Sequence, residues 1–323
     1  MAVYTEVSFA EAGALMARLG LGELTALTGI RSGIENTNYF ADTTGGRYVL
    51  TVFERLTPAQ LPFYLGLMQH LAARCLPVPG PKADPFGVIL HTVQGKPAAV
   101  VDRLRGEHHL APDAADCERL GAMLARMHLA AADLPLHQPH LRGLAWWAET
   151  APQIAPHLGP AEAALLDGEL AYQQQLAASP AFEALPRGPI HADLFRDNVM
   201  FERGPTGAEI SGLFDFYFAG VDTWLFDIAV CLNDWCTDLA TGRLDVDRAQ
   251  ALVAAYHRER PLHGTELRLM PALLRAAALR FWISRLWDLH LPRDAALLQA
   301  HDPAHFERVL REHIAGPWHA ALT

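Results

Sequence analysis

Lysine is almost missing from this sequence. Of 26 basic residues only Lys82 and Lys96 are lysines and the other 24 are arginines. No lysine precedes position 82, and no G-x-x-x-x-G-K-[ST] phosphate loop occurs anywhere. Positive charge is also short overall. The 26 basic residues face 36 acidic ones, a net charge of -10, which argues against a diffuse binder of nucleic acid or of anionic membranes. Cysteine is sparse: Cys75, Cys117, Cys231 and Cys236 form no C-x-x-C pair. A disulfide scaffold is therefore excluded, and the four read as buried free thiols. The most apolar long stretch, Leu267 to Leu289, carries Arg268, Arg275, Arg280, Arg285 and Asp288, the pattern of an amphipathic helix rather than a membrane span. The first residues lack a basic segment followed by an apolar run, so no secretory signal is expected and a cytoplasmic location is the expectation.

What is present suits a folded enzyme-sized chain. Its 323 residues leave room for two domains, and 51% hydrophobic against 19% charged residues is a globular composition. Ser8-Phe9-Ala10-Glu11 is a capping box that opens a helix stopping at Gly20. Strand-like runs follow over Leu24 to Gly33, Asn38 to Asp42 and, past Gly45-Gly46, Arg47 to Phe53. Thr57-Pro58-Ala59-Gln60 opens a helix that ends before Pro77, Pro79 and Pro81. Gly87 to Thr92 and Ala98 to Arg103 read as a hairpin about Gln94-Gly95-Lys96.

Beyond residue 104 the pattern turns helical. Helices are expected near Asp113 to Asp133, Leu144 to Ile154, Pro160 to Ala178, Phe226 to Cys236, Asp245 to Arg258, Glu266 to Leu289 and Pro303 to Trp318. Short strands are expected at Gly188 to His191, Val199 to Phe201 and Ile210 to Asp215. The expected fold is α+β and two-lobed: a small antiparallel-sheet lobe over 1–104, a larger helical lobe over 105–323, and a cleft between them.

The chemistry concentrates in one ordered set. His191-Ala192-Asp193-Leu194-Phe195-Arg196-Asp197-Asn198 is followed by an apolar run, a turn, and Gly212-Leu213-Phe214-Asp215-Phe216. An aspartate in a loop can orient a hydroxyl nucleophile and accept its proton. An asparagine five residues on and an aspartate after the next strand supply hard oxygen ligands to a Mg²⁺ that bridges nucleotide phosphates. Bland roles fit the neighbours better. His191 is read as structural, Arg196 and Asp197 as loop-stabilising, and Asp227 as an N-cap or loop anchor. His128 is read as a packed helix histidine, and His108, His109, His137 and His140 as surface residues.

These blocks resemble the kinase-like superfamily of aminoglycoside phosphotransferases and choline kinases, and within it the homoserine kinases. The closer resemblance rests on Gly33-Ile34-Glu35-Asn36-Thr37-Asn38-Tyr39-Phe40, Tyr48 to Glu54, the 191–198 loop, Asp215 to Ala219 and Asp227 to Cys236. The resemblance implies a protein-kinase-like fold and an ATP- and Mg²⁺-dependent phosphotransferase. Its acceptor would be the side-chain hydroxyl of homoserine, a step of threonine biosynthesis. Asp193 becomes the catalytic aspartate, Asn198 and Asp215 the metal ligands, and 1–104 the nucleotide-binding lobe. Gly33, Ile34, Glu35, Asn36, Thr37 and Asn38 become the flap over the ATP phosphates.

One departure stands out: Thr51 occupies the third-strand position where the superfamily commonly carries a lysine, a feature the homoserine kinase group shares. Arg47 and Arg55 are weak candidates for the missing cation. A homoserine pocket needs an acid for the ammonium and an arginine or backbone N–H donors for the carboxylate. Asn233, Asp234 and Trp235 are candidates for the amino-acid end, and Arg280 or Arg285 for the carboxylate. The alternatives are the same fold acting on choline, an aminoglycoside or a sugar, or a silent nucleotide-binding scaffold. The expected partner is a small molecule, with no nucleic acid and no membrane. The sequence leaves the oligomeric state open.

Overall fold

The computed structural model describes residues 5–30, 36–204, 207–291 and 301–322. It divides into two compact units. The first takes residues 1–106 and 211–214, and the second takes 107–210 and most of the chain from 215 onward.

In the first unit, helix α1 (Phe9–Arg18) begins at the capping box read from the sequence, with both Ser8 and Glu11 bonds formed. Strands β1 (Leu24–Gly29), β2 (Asn36–Thr43), β3 (Gly46–Phe53), β4 (His91–Val93) and β5 (Lys96–Asp102) form one antiparallel sheet in the order β1-β2-β3-β5-β4. Period-two alternation sends Tyr39 and Ala41 of β2, Tyr48, Leu50 and Val52 of β3, and Ala98 and Val100 of β5 into the core. There they meet Ala12, Leu15 and Met16 of α1. The same alternation puts Asn38 and Thr51 on the opposite face. The β4–β5 turn has positive φ at both Gln94 (53°) and Gly95 (73°), the primed geometry that matches the twist of a two-residue hairpin. Helix α2 (Leu61–Ala73) starts a turn later than its capping pattern, because Thr57 and Gln60 bond each other in a separate turn. Strand β1 ends at Gly29, the 31–33 part of the expected run lying outside the described residues, and β4 begins at His91 rather than Gly87.

The second unit holds α3 (Ala114–Ala131), α4 (Leu144–Ile154), α5 (Pro160–Ala177), α6 (Pro180–Glu183), α7 (Trp224–Trp235), α8 (Val246–Glu259), α9 (Gly264–His290) and α10 (Ala304–Ala315). Helices α3 and α8 pack backbone to backbone at Gly121, where an added Cβ would lie 2.1 Å from the Leu252 carbonyl oxygen. Strand β6 (Arg187–Ile190) pairs antiparallel with β9 (Gly220–Thr223), a four-residue strand that the sequence reading missed. Strands β7 (Val199–Gly204) and β8 (Gly207–Leu213) form a two-stranded sheet. No described helix is long and apolar enough to cross a membrane. Three of the four thiols are buried as expected, but Cys75 is exposed at the end of α2. His140 is not a surface residue: it is buried, with Nδ1 3.1 Å from Asp222 Oδ2.

Candidate active site

Strand β6 delivers the chain to a loop whose backbone is fixed almost entirely from beneath. Asp227, in the first turn of α7, is fully buried and accepts from the His191 N–H (2.8 Å) and the Ala192 N–H (2.7 Å), one with each carboxylate oxygen. This grip holds Ala192 at φ 64°, a left-handed conformation uncommon for a residue with a Cβ. His128 Nε2 lies 3.0 Å from the same carboxylate, and Tyr256 Oη lies 2.8 Å from His128 Nδ1. Burial lowers the His128 pKa and keeps the imidazole neutral, although Asp227 pulls the other way. Burial also opposes ionisation of Asp227, but the hydrogen bonds from His128 and the loop outweigh it and hold the carboxyl below its ordinary range. The chain of donors therefore runs from the Tyr256 hydroxyl to His128 Nδ1, and from His128 Nε2 to the Asp227 carboxylate. The loop-anchor reading of Asp227 and the packed-helix reading of His128 describe this arrangement; the N-cap of α7 is Thr223.

Asp193 follows directly. Its N–H donates to His191 Nδ1 at 3.3 Å, and its carbonyl accepts from the Phe195 N–H and from Asn198 Nδ2, both at 2.8 Å. The half-buried Asp193 carboxylate faces the guanidinium of Arg280 on α9, with Nη1 3.8 Å from Oδ1. Further along, Arg196 donates its backbone N–H (2.8 Å) and Nε (3.1 Å) to Asp234 Oδ2, and reaches the carbonyls of Leu110 and Asp234 with its remaining nitrogens. Burial raises the Asp234 pKa while Arg196 pulls it down. The loop-stabilising role expected of Arg196 is thus spelled out by its partners.

Asn198 closes the loop and leads into β7, while Asp215 lies two residues past the end of β8. Two strands joined by a two-residue connection run antiparallel, so both residues fall at the same end of this small sheet. Because Asn198 Nδ2 is spent on the Asp193 carbonyl, its Oδ1 is the atom left for a cation. Asp215 sits at φ 65°, ψ 54°, again left-handed. Among the described residues no group of three or more His, Cys, Asp and Glu side chains forms a metal cage.

The amino-acid-end candidates are turned into the protein. Asn233 donates to the Leu274 carbonyl (2.8 Å) and its Oδ1 lies 2.8 Å from His313 Nε2. Asp234 is taken by Arg196, and Trp235 Nε1 donates to the Leu194 carbonyl at 2.9 Å. All three are buried; Asp234 and Trp235 brace the 191–198 loop from the α7 side, while Asn233 ties α7 to α9 and α10.

In the first unit, Gly33, Ile34 and Glu35 lie outside the described residues. Asn36, Thr37 and Asn38 open β2. Thr37 Oγ1 donates to Glu54 Oε1 (2.6 Å), and Thr51 Oγ1 donates to Asn38 Oδ1 (2.7 Å). Both lysines are matched with carboxylates, Lys82 with Asp102 at 2.6 Å and Lys96 with Glu54 at 2.5 Å. Arg55 has a buried Nη1 with no hydrogen-bond partner among the described residues.

An aspartate on a braced loop, followed by an asparagine and an aspartate at one end of a hairpin, is a set of residues that suits phosphoryl transfer. The chain belongs to the phosphotransferase enzyme family, whose match spans residues 26–262. Among curated proteins it is 61% identical over 318 residues to the homoserine kinase of Polaromonas naphthalenivorans, covering 98% of this chain and 99% of that protein. It is 55% identical over 322 residues to the homoserine kinase of Ralstonia nicotianae, covering 97% and 96%. Among solved structures it resembles an amicoumacin kinase in complex with AMP-PNP and Ca²⁺, with TM-score 0.69, 17% identity, and 93% and 92% of the two chains covered. A putative aminoglycoside phosphotransferase of Ralstonia eutropha gives TM-score 0.67 at 17% identity, covering 95% and 96%. At such identities the solved structures speak for the kinase-like fold alone.

Proposed function

We propose that this protein is a homoserine kinase that transfers the γ-phosphoryl group of ATP to the side-chain hydroxyl of L-homoserine. The observation that carries this reading is the near-complete, 61% identical alignment with a homoserine kinase. In this reading the Asp193 carboxylate accepts the hydrogen bond of the acceptor hydroxyl and takes its proton as the oxygen bonds to phosphorus. The bond from the γ-phosphorus to the bridging oxygen breaks, and ADP leaves. Loop rigidity supplies positioning, which dominates catalysis of phosphoryl transfer. Residues of the first unit, 33–38 and Thr51, would contact the nucleotide.

A magnesium ion would be held by Asn198 Oδ1 and the Asp215 carboxylate, a donor set of hard oxygens that suits it. When bound, such an ion neutralises charge on the nucleotide phosphates. A magnesium ion that also takes substrate phosphate oxygens would need only one or two protein donors. Asn198→Ala and Asp215→Asn are each expected to raise the Mg²⁺ concentration for half-maximal rate by about tenfold or more, since the loss of one ligand commonly weakens a site on that scale. An unchanged magnesium titration would remove the ligand role.

The acceptor is tested by Mg·ATP-dependent ADP release in the presence of homoserine, serine, choline, a hexose or an aminoglycoside. Stimulation by homoserine well above the ATPase background is expected. Stimulation by another acceptor alone would replace the reading, and stimulation by none would favour a nucleotide-binding scaffold.

A further inference from the structure

Arg280 is charged, sits in the middle of α9 and is only 2% exposed. Burying a guanidinium is costly unless something nearby needs it. Its Nη1 approaches Asp193 Oδ1 to 3.8 Å, which is ion-pair range but beyond a hydrogen bond. The guanidinium plane lies against the Phe281 ring, 3.7 Å from its centroid, and 5.2 Å from that of Phe218. Phe218 ends the short turn that begins just after Asp215. One cation thus lies in ion-pair range of Asp193 and within cation–π range of two rings, one of them in the turn following Asp215.

A second guanidinium stands further along the same helix. Arg285 rests on the Phe306 ring at 4.5 Å and donates to the Asp302 carbonyl at 2.9 Å. Burial lowers its pKa against the pull of Asp234, Asp302, Asp193 and Asp197, so its charge is felt at the same loop. A site for polycationic or quaternary-ammonium acceptors gains nothing from positive charge here.

We propose that Arg280 binds the α-carboxylate of an amino-acid acceptor whose side-chain hydroxyl meets Asp193. The assignment rests on the homoserine reading and deepens it. In homoserine, four single bonds separate the carboxyl carbon from the hydroxyl oxygen, a span of about 5 Å when extended. A molecule of that length can touch a guanidinium and a carboxylate that are 3.8 Å apart. The guanidinium offers a planar fork that a carboxylate fills bidentately and an ammonium or hydroxyl acceptor cannot. An acceptor without the carboxylate forgoes that bidentate contact, and a site built to bond a substrate group discriminates against the analogue that lacks it.

The experiment compares L-homoserine with 3-aminopropan-1-ol, which is homoserine without its carboxylate. The readout is the ratio of the two kcat/KM values by Mg·ATP-dependent ADP release, in the wild-type protein, Arg280→Ala and Arg280→Lys. The wild-type ratio is expected to favour homoserine by about 10²-fold or more. Arg280→Ala is expected to collapse most of that preference, chiefly through the KM for homoserine. Arg280→Lys keeps the charge and the bulk in the core but loses the fork, and should fall in between, so the comparison stands even if the alanine variant does not fold. A ratio unchanged in the lysine variant and in any folded alanine variant, with both acceptors slowed alike, would overturn the assignment. It would show instead that Arg280 acts on the charge of Asp193. Absence of homoserine-dependent turnover in the wild-type protein would remove the homoserine reading itself, before any variant is compared.

Discussion

Asp193→Ala is expected to lower homoserine-dependent ADP release by about 10³-fold, within the range that a positioned proton acceptor contributes, while ATP binding stays within about threefold of its original affinity. The reason for so clean a separation lies in the loop's construction. The hydrogen bonds that Asp193 makes to His191, Phe195 and Asn198 use its backbone N–H and carbonyl. Truncating the side chain leaves them in place, along with both bonds from Asp227 to the preceding residues. The variant should therefore keep the loop's backbone hydrogen bonds while it loses the carboxylate and its ion pair with Arg280. Turnover followed by coupled ADP release, beside equilibrium titration with ATP, measures both halves. A rate within tenfold of the original would move the proton acceptor elsewhere.

The second large effect concerns stability. Asp227→Ala is expected to cost about 3–5 kcal/mol in urea unfolding, the scale of stranding partners of a buried charge. The substitution leaves two buried backbone N–H groups without an acceptor, and His128 keeps its Tyr256 bond but loses its carboxylate. Against a typical total stability of about 5–15 kcal/mol, that loss would leave much of the second unit marginal. Asp227→Asn retains one acceptor oxygen but turns an NH₂ toward donors, and should fall between the two. A loss below about 1 kcal/mol for the alanine variant would mean that water replaces the carboxylate without penalty, and that the loop is held by other contacts.

The elements most legible in the sequence are those with local punctuation. Helix α4 is expected and found at 144–154, and α1 begins at its capping box. The Gln94-Gly95 turn declared its hairpin. Strand β9 was missed because four residues, Gly220 to Thr223, are too few to show alternation, and its partner β6 lies about thirty residues upstream. The 191–198 loop and Asp215 stood out as an ordered set of residue types, a pattern that survives without knowledge of packing. Their supports did not. Tyr256 and His128 are 128 residues apart, His128 and Asp227 are 99 apart, and Arg196 reaches Asp234 across 38. No local periodicity reports such pairings. Asn233, Asp234 and Trp235 illustrate the same limit, since polar residues on α7 look identical in sequence whether they face a ligand or, as here, the protein's own carbonyls and guanidinium.

Ala192 and Asp215 both hold φ near +65°, a backbone state that costs an L-residue about 1–2 kcal/mol. The two positions differ in how freely they can shed that load. Glycine at 192 would relax the backbone and give up only a methyl group. Glycine at 215 would relax it equally and give up a carboxylate. The strain at 192 is thus separable from the side chain's chemistry, whereas at 215 it comes with the carboxylate.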